Sequence, residues 1–199
     1  LFVTQTPDHS QPSNASLMHR KLGCASRCAA LDVNLGCSGY VYALWLAFSL
    51  IANGSSSKIL VCAGDTLSRM VHPKDRSVAA LFGDAGSATL VEKRLGAGTS
   101  WFRLGSDGSG SEALIVPAGG ARMPLSAETS VEQSDAEGNI RCLENLQMQG
   151  SEVFNFSIEV VPREIEALLA EANCSIDLVN FFVLHQANRY IVHSIGKRL

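Results

Sequence analysis

The sequence predicts an α/β fold, a sheet with helices on its faces. Three observations predict it. Strand-like and helix-like runs alternate, joined by short connections. The continuous apolar run "KILVCA", Lys58 to Ala63, has the composition of a central parallel strand buried on both faces. The run Val41 to Ala52 contains no charged residue and suits a helix in the middle of a large core. Apolar residues make up 46% of the 199 and charged residues 18%, which is enough apolar surface to order a compact core.

Each element then follows from its own signals. Leu1 to Thr4 is strand-like and meets a turn at Thr6-Pro7-Asp8. Pro12-Ser13 opens a helix over Asn14 to Leu22, stopped by Gly23. Ala29 to Asn34 is a strand, and Ser38 to Ala52 a buried helix ended by Asn53-Gly54. After the Lys58 to Ala63 strand, Gly64 to Phe82 is mixed. "FGDAGSATLVEK" is a Gly-rich turn feeding a strand, and Trp101 to Val116 suggests a hairpin-like pair. Pro117 to Arg141 is small, polar and irregular, as an inserted surface loop would be. Ser151 to Ala172 has helical spacing, with Pro162 predicting a kink or two abutting helices. Leu178 to Leu184 is a strand ending at His185, and Asn188 is placed to cap a last helix. The chain opens on an apparent strand already under way and closes within a helical pattern. An incomplete domain is therefore expected.

Bulk properties exclude several classes. A net charge of −3 gives no field for nucleic acid or an anionic membrane. The longest apolar run is too short to span a bilayer, and no signal-peptide pattern is visible. Six cysteines form neither a CxxC pair nor a dense framework, so a reducing, cytoplasmic setting is expected. Cys24 and Cys28 lack a second ligand pair, so no metal site is expected. No cofactor is expected either.

Two reactive side chains fall at strand ends, where sites collect in α/β sheets. Cys37 lies in "NLGCSGY", after a strand and before a helix. Helix N-terminal N–H groups and the dipole there favour a thiolate. Gly36 and Gly39 are expected to let the backbone turn tightly and leave room for a ligand. On position alone, a nucleophile and a small packing residue are about equally supported. His185, in "VLHQANR", can hydrogen-bond and titrate near neutral pH, and structural histidines share that placement. Ser38 is not in a GxSxG elbow, so a serine hydrolase has no support.

Four ordered motifs resemble one family. "DVNLGCSGYVYAL", "LFGDAGSATLV", "LQMQGSEVFNFSIEVVPREI" and "VLHQAN" resemble segments of the β-ketoacyl-acyl carrier protein synthase III (3-oxoacyl-ACP synthase III) enzymes of the thiolase superfamily. The resemblance implies a thiolase-like αβαβα layered fold of two similar halves, here incomplete. Residues 1–97 would be part of the amino-terminal half carrying the nucleophile, and residues 98–199 part of the carboxyl-terminal half carrying the histidine. It implies a cytoplasmic homodimer that uses acyl-coenzyme A and malonyl-acyl carrier protein, with no nucleic-acid or membrane partner. Cys37 would become the acyl-enzyme. His185 would stabilise the enolate formed on decarboxylation, partnered by an asparagine beyond residue 199. Gln186, Ala187, Asn188 and Arg189 would contribute to carrier-protein binding.

Three departures stand out. The family's usual Gly-Asp-Gly is Gly83-Asp84-Ala85 here. Tyr190 stands where an arginine commonly helps to bind the carrier, with Arg189 one position earlier. Gln11 stands where a large apolar residue often reaches the partner subunit's acyl pocket. The first is a mild change and the second bears on carrier docking, while Gln11 and the Pro117 to Arg141 insertion point to altered acyl specificity. Alternatives on the same residues are acyl transfer to an alcohol or amine, a cysteine hydrolase, and a non-catalytic partner subunit. The hydrolase lacks the C-G-[SA]-C-[WY] signature of papain-like enzymes.

Overall fold

The computed structural model describes residues 1–199, which form two compact units. The first comprises Leu1–Leu67 with Gly83–Ser100, and the second Ser68–Phe82 with Trp101–Leu199.

The first unit is a four-stranded sheet with two helices. Strand β1 is Phe2–Val3, helix α1 Asn14–Lys21, β2 Asp32–Val33, α2 Gly39–Ala52, β3 Lys58–Thr66 and β4 Asp84–Glu92. The strand order is β2-β1-β3-β4. β1 is parallel to both neighbours, while β3 and β4 are antiparallel from Lys58↔Glu92 to Thr66↔Asp84. The "KILVCA" run lies between β1 and β4, but it is not the parallel strand buried on both faces that its composition predicts, since β4 pairs with it antiparallel and Leu60 is exposed. The strand runs on to Thr66 because Gly64 lies opposite Gly86. A Cβ at Gly64 would stand 3.1 Å from the Ala85 carbonyl oxygen.

The α1 and α2 boundaries have local causes. Ser13 caps α1 by accepting from the Ser16 N–H, and the basic residues His19, Arg20 and Lys21 occupy its negative C-terminal end. The N–H groups of Asn14 and Ala15 donate to the two carboxylate oxygens of Asp32, each at 2.7 Å, which fastens α1 to β2. Gly23 and Gly54 follow α1 and α2 in the left-handed region, at φ 63° and 81°.

The expectation of a helix buried all round is corrected for α2. Gly39, Ala43, Ala47 and Ile51 are buried along one i, i+4 stripe, and Ala43 and Ala47 join Val3 and Val61 in the core. Val41, Trp45 and Phe48 on other faces stay exposed. A helix on a sheet buries one stripe, and a sequence without charged residues does not mark which one.

The second unit has short strands and two packed helices. β5 Leu114–Ile115 pairs antiparallel with β8 Gln147–Met148, and β6 Gln133–Ser134 pairs antiparallel with β7 Ile140–Arg141. Helix α3 is Gly150–Glu171 and α4 is Arg189–Gly196. Arg103 bridges Glu164 and Glu171 on α3. Phe154 of α3 stacks on Tyr190 of α4, with ring centroids 5.2 Å apart.

Four expectations are corrected in this unit. The hairpin around Trp101 to Val116 does not form, because β5 pairs with β8. The glycines fall in a short 3-10 turn at Gly108–Gly110, capped by Asp107. Helix α3 is a single helix through Pro162, not two abutting helices. Leu178 to Leu184 forms no hydrogen-bonded strand, and Leu178, Phe181, Phe182 and Val183 are exposed. A strand requires a neighbour, and none of the strands in the structure pairs with this segment.

The Pro117 to Arg141 stretch is not a loose surface loop either. Ala118, Thr129 and Asn139 within it are buried. The Arg141 guanidinium donates to Asp75 at 2.7 Å and to Asp135 at 2.8 Å, while Asn139 holds Asp135 from its backbone and side chain. Asp75 is fully buried and also accepts from the Ser77 hydroxyl. Charged and amide groups thus supply the order that the segment's sparse apolar content cannot.

Candidate active site

Cys37 sits in the turn between β2 and α2, two residues ahead of the first helical residue, with its side chain exposed. The Gly39 N–H closes the turn on the Gly36 carbonyl at 2.8 Å. Ser38 is the helix N-cap but makes no side-chain capping bond, and the first turn of α2 holds no acidic residue. The positive end of the helix is therefore not neutralised by its own side chains. It faces the segment that bears the thiol.

Neither bracketing glycine is required by a left-handed backbone, since neither has positive φ. Gly39 is required by close approach, whereas at Gly36 the near atoms are the end of the flexible Gln5 side chain, which can move aside. A Cβ on Gly39 would stand 2.5 Å from Val3 Cγ1, and a Cβ on Gly36 would stand 2.5 Å from Gln5 Oε1. The turn is pressed onto the end of β1 at both of its ends. The Tyr40 hydroxyl is 2.9 Å from Thr89 Oγ1 on β4, a second tie for the first turn of α2.

The residues beyond β1 are held by Asp65 at the end of β3. Its Oδ1 accepts from Thr4 Oγ1 at 2.9 Å, Gln5 N at 2.7 Å, Thr6 N at 3.1 Å and Thr6 Oγ1 at 3.0 Å. Thr6 Oγ1 in turn accepts from the Thr66 N–H at 2.9 Å. Sequence reasoning missed this cluster. Its members lie about sixty positions apart, and no local pattern joins "TQT" to "GDT".

His185 belongs to the second unit. It is exposed, on the irregular segment leading into α4. Asn188 caps that helix, as its position predicts, by accepting from the Ile191 N–H at 2.8 Å. Arg189 is the first helical residue, Gln186 is exposed and Ala187 is half-buried. Gln186, Asn188 and Arg189 line one open cleft of about 410 Å³ together with Val192 and His193. His193 thus shares a concave surface with three of the four residues expected to meet a carrier protein. Tyr190 stacks on Phe154 while keeping 68% of its surface exposed.

The family model for 3-oxoacyl-[acyl-carrier-protein] synthase III matches residues 31–108, which include Cys37. The β-ketoacyl-[acyl-carrier-protein] synthase III of Syntrophomonas wolfei is 39% identical over 197 residues, spanning 98% of this chain and 56% of that protein. That of Caldanaerobacter subterraneus is 36% identical over 200 residues, spanning all of this chain and 57% of its own length. A 2.1 Å crystal structure of a 3-oxoacyl-(acyl-carrier-protein) synthase III superposes with a TM-score of 0.95 at 44% identity, over 99% of this chain and 59% of that one. The chain spans little more than half the length of the curated relatives it matches. With the glycine-bracketed cysteine, the order of its motifs and its mixed α/β architecture, the chain is similar over its whole length to the 3-oxoacyl-[acyl-carrier-protein] synthase III enzymes and has their thiolase-like fold.

Proposed function

We propose that this protein is a condensing acyltransferase that loads an acyl group from acyl-coenzyme A onto Cys37 and transfers it to a malonyl-derived carbanion. The observation that carries the reading is Cys37 itself, exposed ahead of a fourteen-residue helix whose first turn bears no acidic residue. The end of a helix stabilises negative charge on a sulfur placed there.

In the first stage the Cys37 sulfur attacks the thioester carbonyl. A carbon–sulfur bond forms, the bond to coenzyme A breaks, and coenzyme A leaves as its thiol. In the second stage malonyl-acyl carrier protein loses carbon dioxide, leaving the electron pair as a thioester enolate. His185 donates a hydrogen bond to the enolate oxygen. The enolate carbon attacks the acyl carbonyl, and Cys37 departs as a thiolate, giving a 3-oxoacyl-carrier product. On this reading residues 1–97 supply the nucleophile and residues 98–199 the enolate-stabilising group. The protein works as a cytoplasmic homodimer, and Gln186, Ala187, Asn188 and Arg189 meet the carrier.

Intact-protein mass spectrometry with acetyl-coenzyme A tests the first stage. One acyl mass on Cys37 is expected, and none in Cys37→Ala. An acyl mass retained by Cys37→Ala overturns the assignment. Adding malonyl-acyl carrier protein tests the second stage by the appearance of 3-oxoacyl product. Steady release of free acid without any malonyl requirement would point to a hydrolase instead.

A further inference from the structure

We propose that Asp65 is a positioning residue for the acyl-accepting turn, acting on Cys37 through the end of β1. The inference rests on the reading of Cys37 as the acyl acceptor. Residues at the end of β1 alternate. Val3 and Gln5 meet Gly39 and Gly36, the two ends of the turn that contains Cys37. Thr4 and Thr6 instead direct their hydroxyls to Asp65. Only Phe2–Val3 is strand and Gln5 and Thr6 lie in a bend, so this short segment meets the nucleophile turn through Val3 and Gln5 and the carboxylate through Thr4 and Thr6.

The geometry at Asp65 makes one carboxyl oxygen a shared acceptor. Four donors converge on a single oxygen, Oδ1, from three consecutive residues. A neutral acceptor holds so many donors poorly, whereas a carboxylate forms stronger, charge-assisted bonds. The Thr6 hydroxyl adds a relay, accepting from the Thr66 N–H and donating to Asp65. The first residues after β1 are thereby tied to the end of β3. Without that tie, Thr4 to Thr6 would be a strand end leading into a turn at Pro7, and Gln5 would no longer be held against Gly36. Misplacement of a reacting group by about 1 Å costs on the order of a hundredfold in rate.

The test compares the parent chain with Asp65→Ala and Asp65→Asn. The first measurement is the rate of acyl loading from acetyl-coenzyme A by intact mass. The second is the pH profile of Cys37 alkylation by iodoacetamide, followed by peptide mass, with Cys62 of β3 as an internal gauge of folding. Asp65→Ala is expected to slow loading by about tenfold or more and to alter the Cys37 profile, with Cys62 as slow as in the parent. Asp65→Asn, which keeps an acceptor oxygen, is expected to recover part of the loss. The proposal is overturned if Asp65→Ala leaves both measurements within about twofold of the parent. It is also overturned if Cys62 becomes reactive in step with the loss and Asn restores nothing, which is the signature of a fold support alone. Failure of the parent to take up acyl mass would reject the acyl-acceptor reading separately, and the alkylation profiles would still decide the role of Asp65.

Discussion

The Cβ that Gly39 lacks would stand 2.5 Å from Cγ1 of Val3. Val3 is a stiff, β-branched residue in the core, 5% exposed, and Leu35 Cβ closes the other side at 3.1 Å. Neither neighbour is the far end of a flexible chain, so the start of α2 must move to admit a methyl group. Gly39→Ala is therefore expected to destabilise the fold by about 1–3 kcal/mol through overpacking. The better helix propensity of alanine returns at most about 1 kcal/mol. Urea denaturation checks it. Val3→Ala in the same background should restore part of the loss, and a Gly39→Ala chain as stable as the parent would refute the contact.

His185 and Cys37 carry different steps in the proposed function, which predicts a split. His185→Ala should leave acyl loading of Cys37 intact while lowering condensation by about a hundredfold to a thousandfold. Intact mass reads the first step and 3-oxoacyl product the second. Equal loss of both steps would show that the histidine acts in loading, and the enolate role would fall.

What could be read from the sequence was local. The Asn188 cap, the left-handed Gly23 and Gly54, and the apolar β3 each depend on residues within a few positions of one another. What could not be read depends on partners far along the chain. β5 pairs with β8 rather than folding back on itself, and the Asp65 cluster joins residues about sixty apart. The apolar Leu178 to Leu184 run has strand composition but no neighbour in the structure. Cys37 and its glycines were legible as a pattern. The reason for Gly39 was not, since it lies in Val3 and Leu35 and not in the turn's own dihedral angles.

The insertion at Pro117 to Arg141 should stand or fall with its ion network. Burial works to raise the pKa of Asp75, but hydrogen bonds from Ser77 and Arg141 outweigh it and hold the carboxyl below its ordinary 3.8. Asp135 is lowered chiefly by Asn139, with a smaller contribution from Arg141. A depressed carboxyl contributes stability that is present above its unfolded pKa and lost as pH falls through the folded one. Stability should thus hold above about pH 4 and fall on further acidification. Arg141→Met should lower the plateau by about 3 kcal/mol, because Asp75 is left buried without its partner, and should flatten the acid limb. Denaturation midpoints across pH 2 to 7, at roughly unit steps, check both effects. An acid limb of unchanged steepness in Arg141→Met would show that the pair does not govern it.

The last prediction concerns Pro162, in the interior of α3. Proline has no N–H, so the carbonyl of Ile158, four residues earlier, loses its helical donor. Arg198, beyond the end of α4, donates from its guanidinium to that carbonyl at 2.7 Å. The proline thus creates an acceptor that joins the two helices, and the helix stays unbroken because the acceptor is satisfied. Replacing Pro162 by alanine restores the helical donor. It gains up to about 3 kcal/mol in propensity and loses two buried methylenes worth about 0.8 kcal/mol each, so net stabilisation is expected. Arg198→Ala should cost about 1 kcal/mol in the parent and markedly less beside Pro162→Ala, where the carbonyl is already paired. The double-mutant cycle isolates that coupling. Strictly additive effects would mean that Arg198 steadies α3 by some route other than the carbonyl that Pro162 exposes.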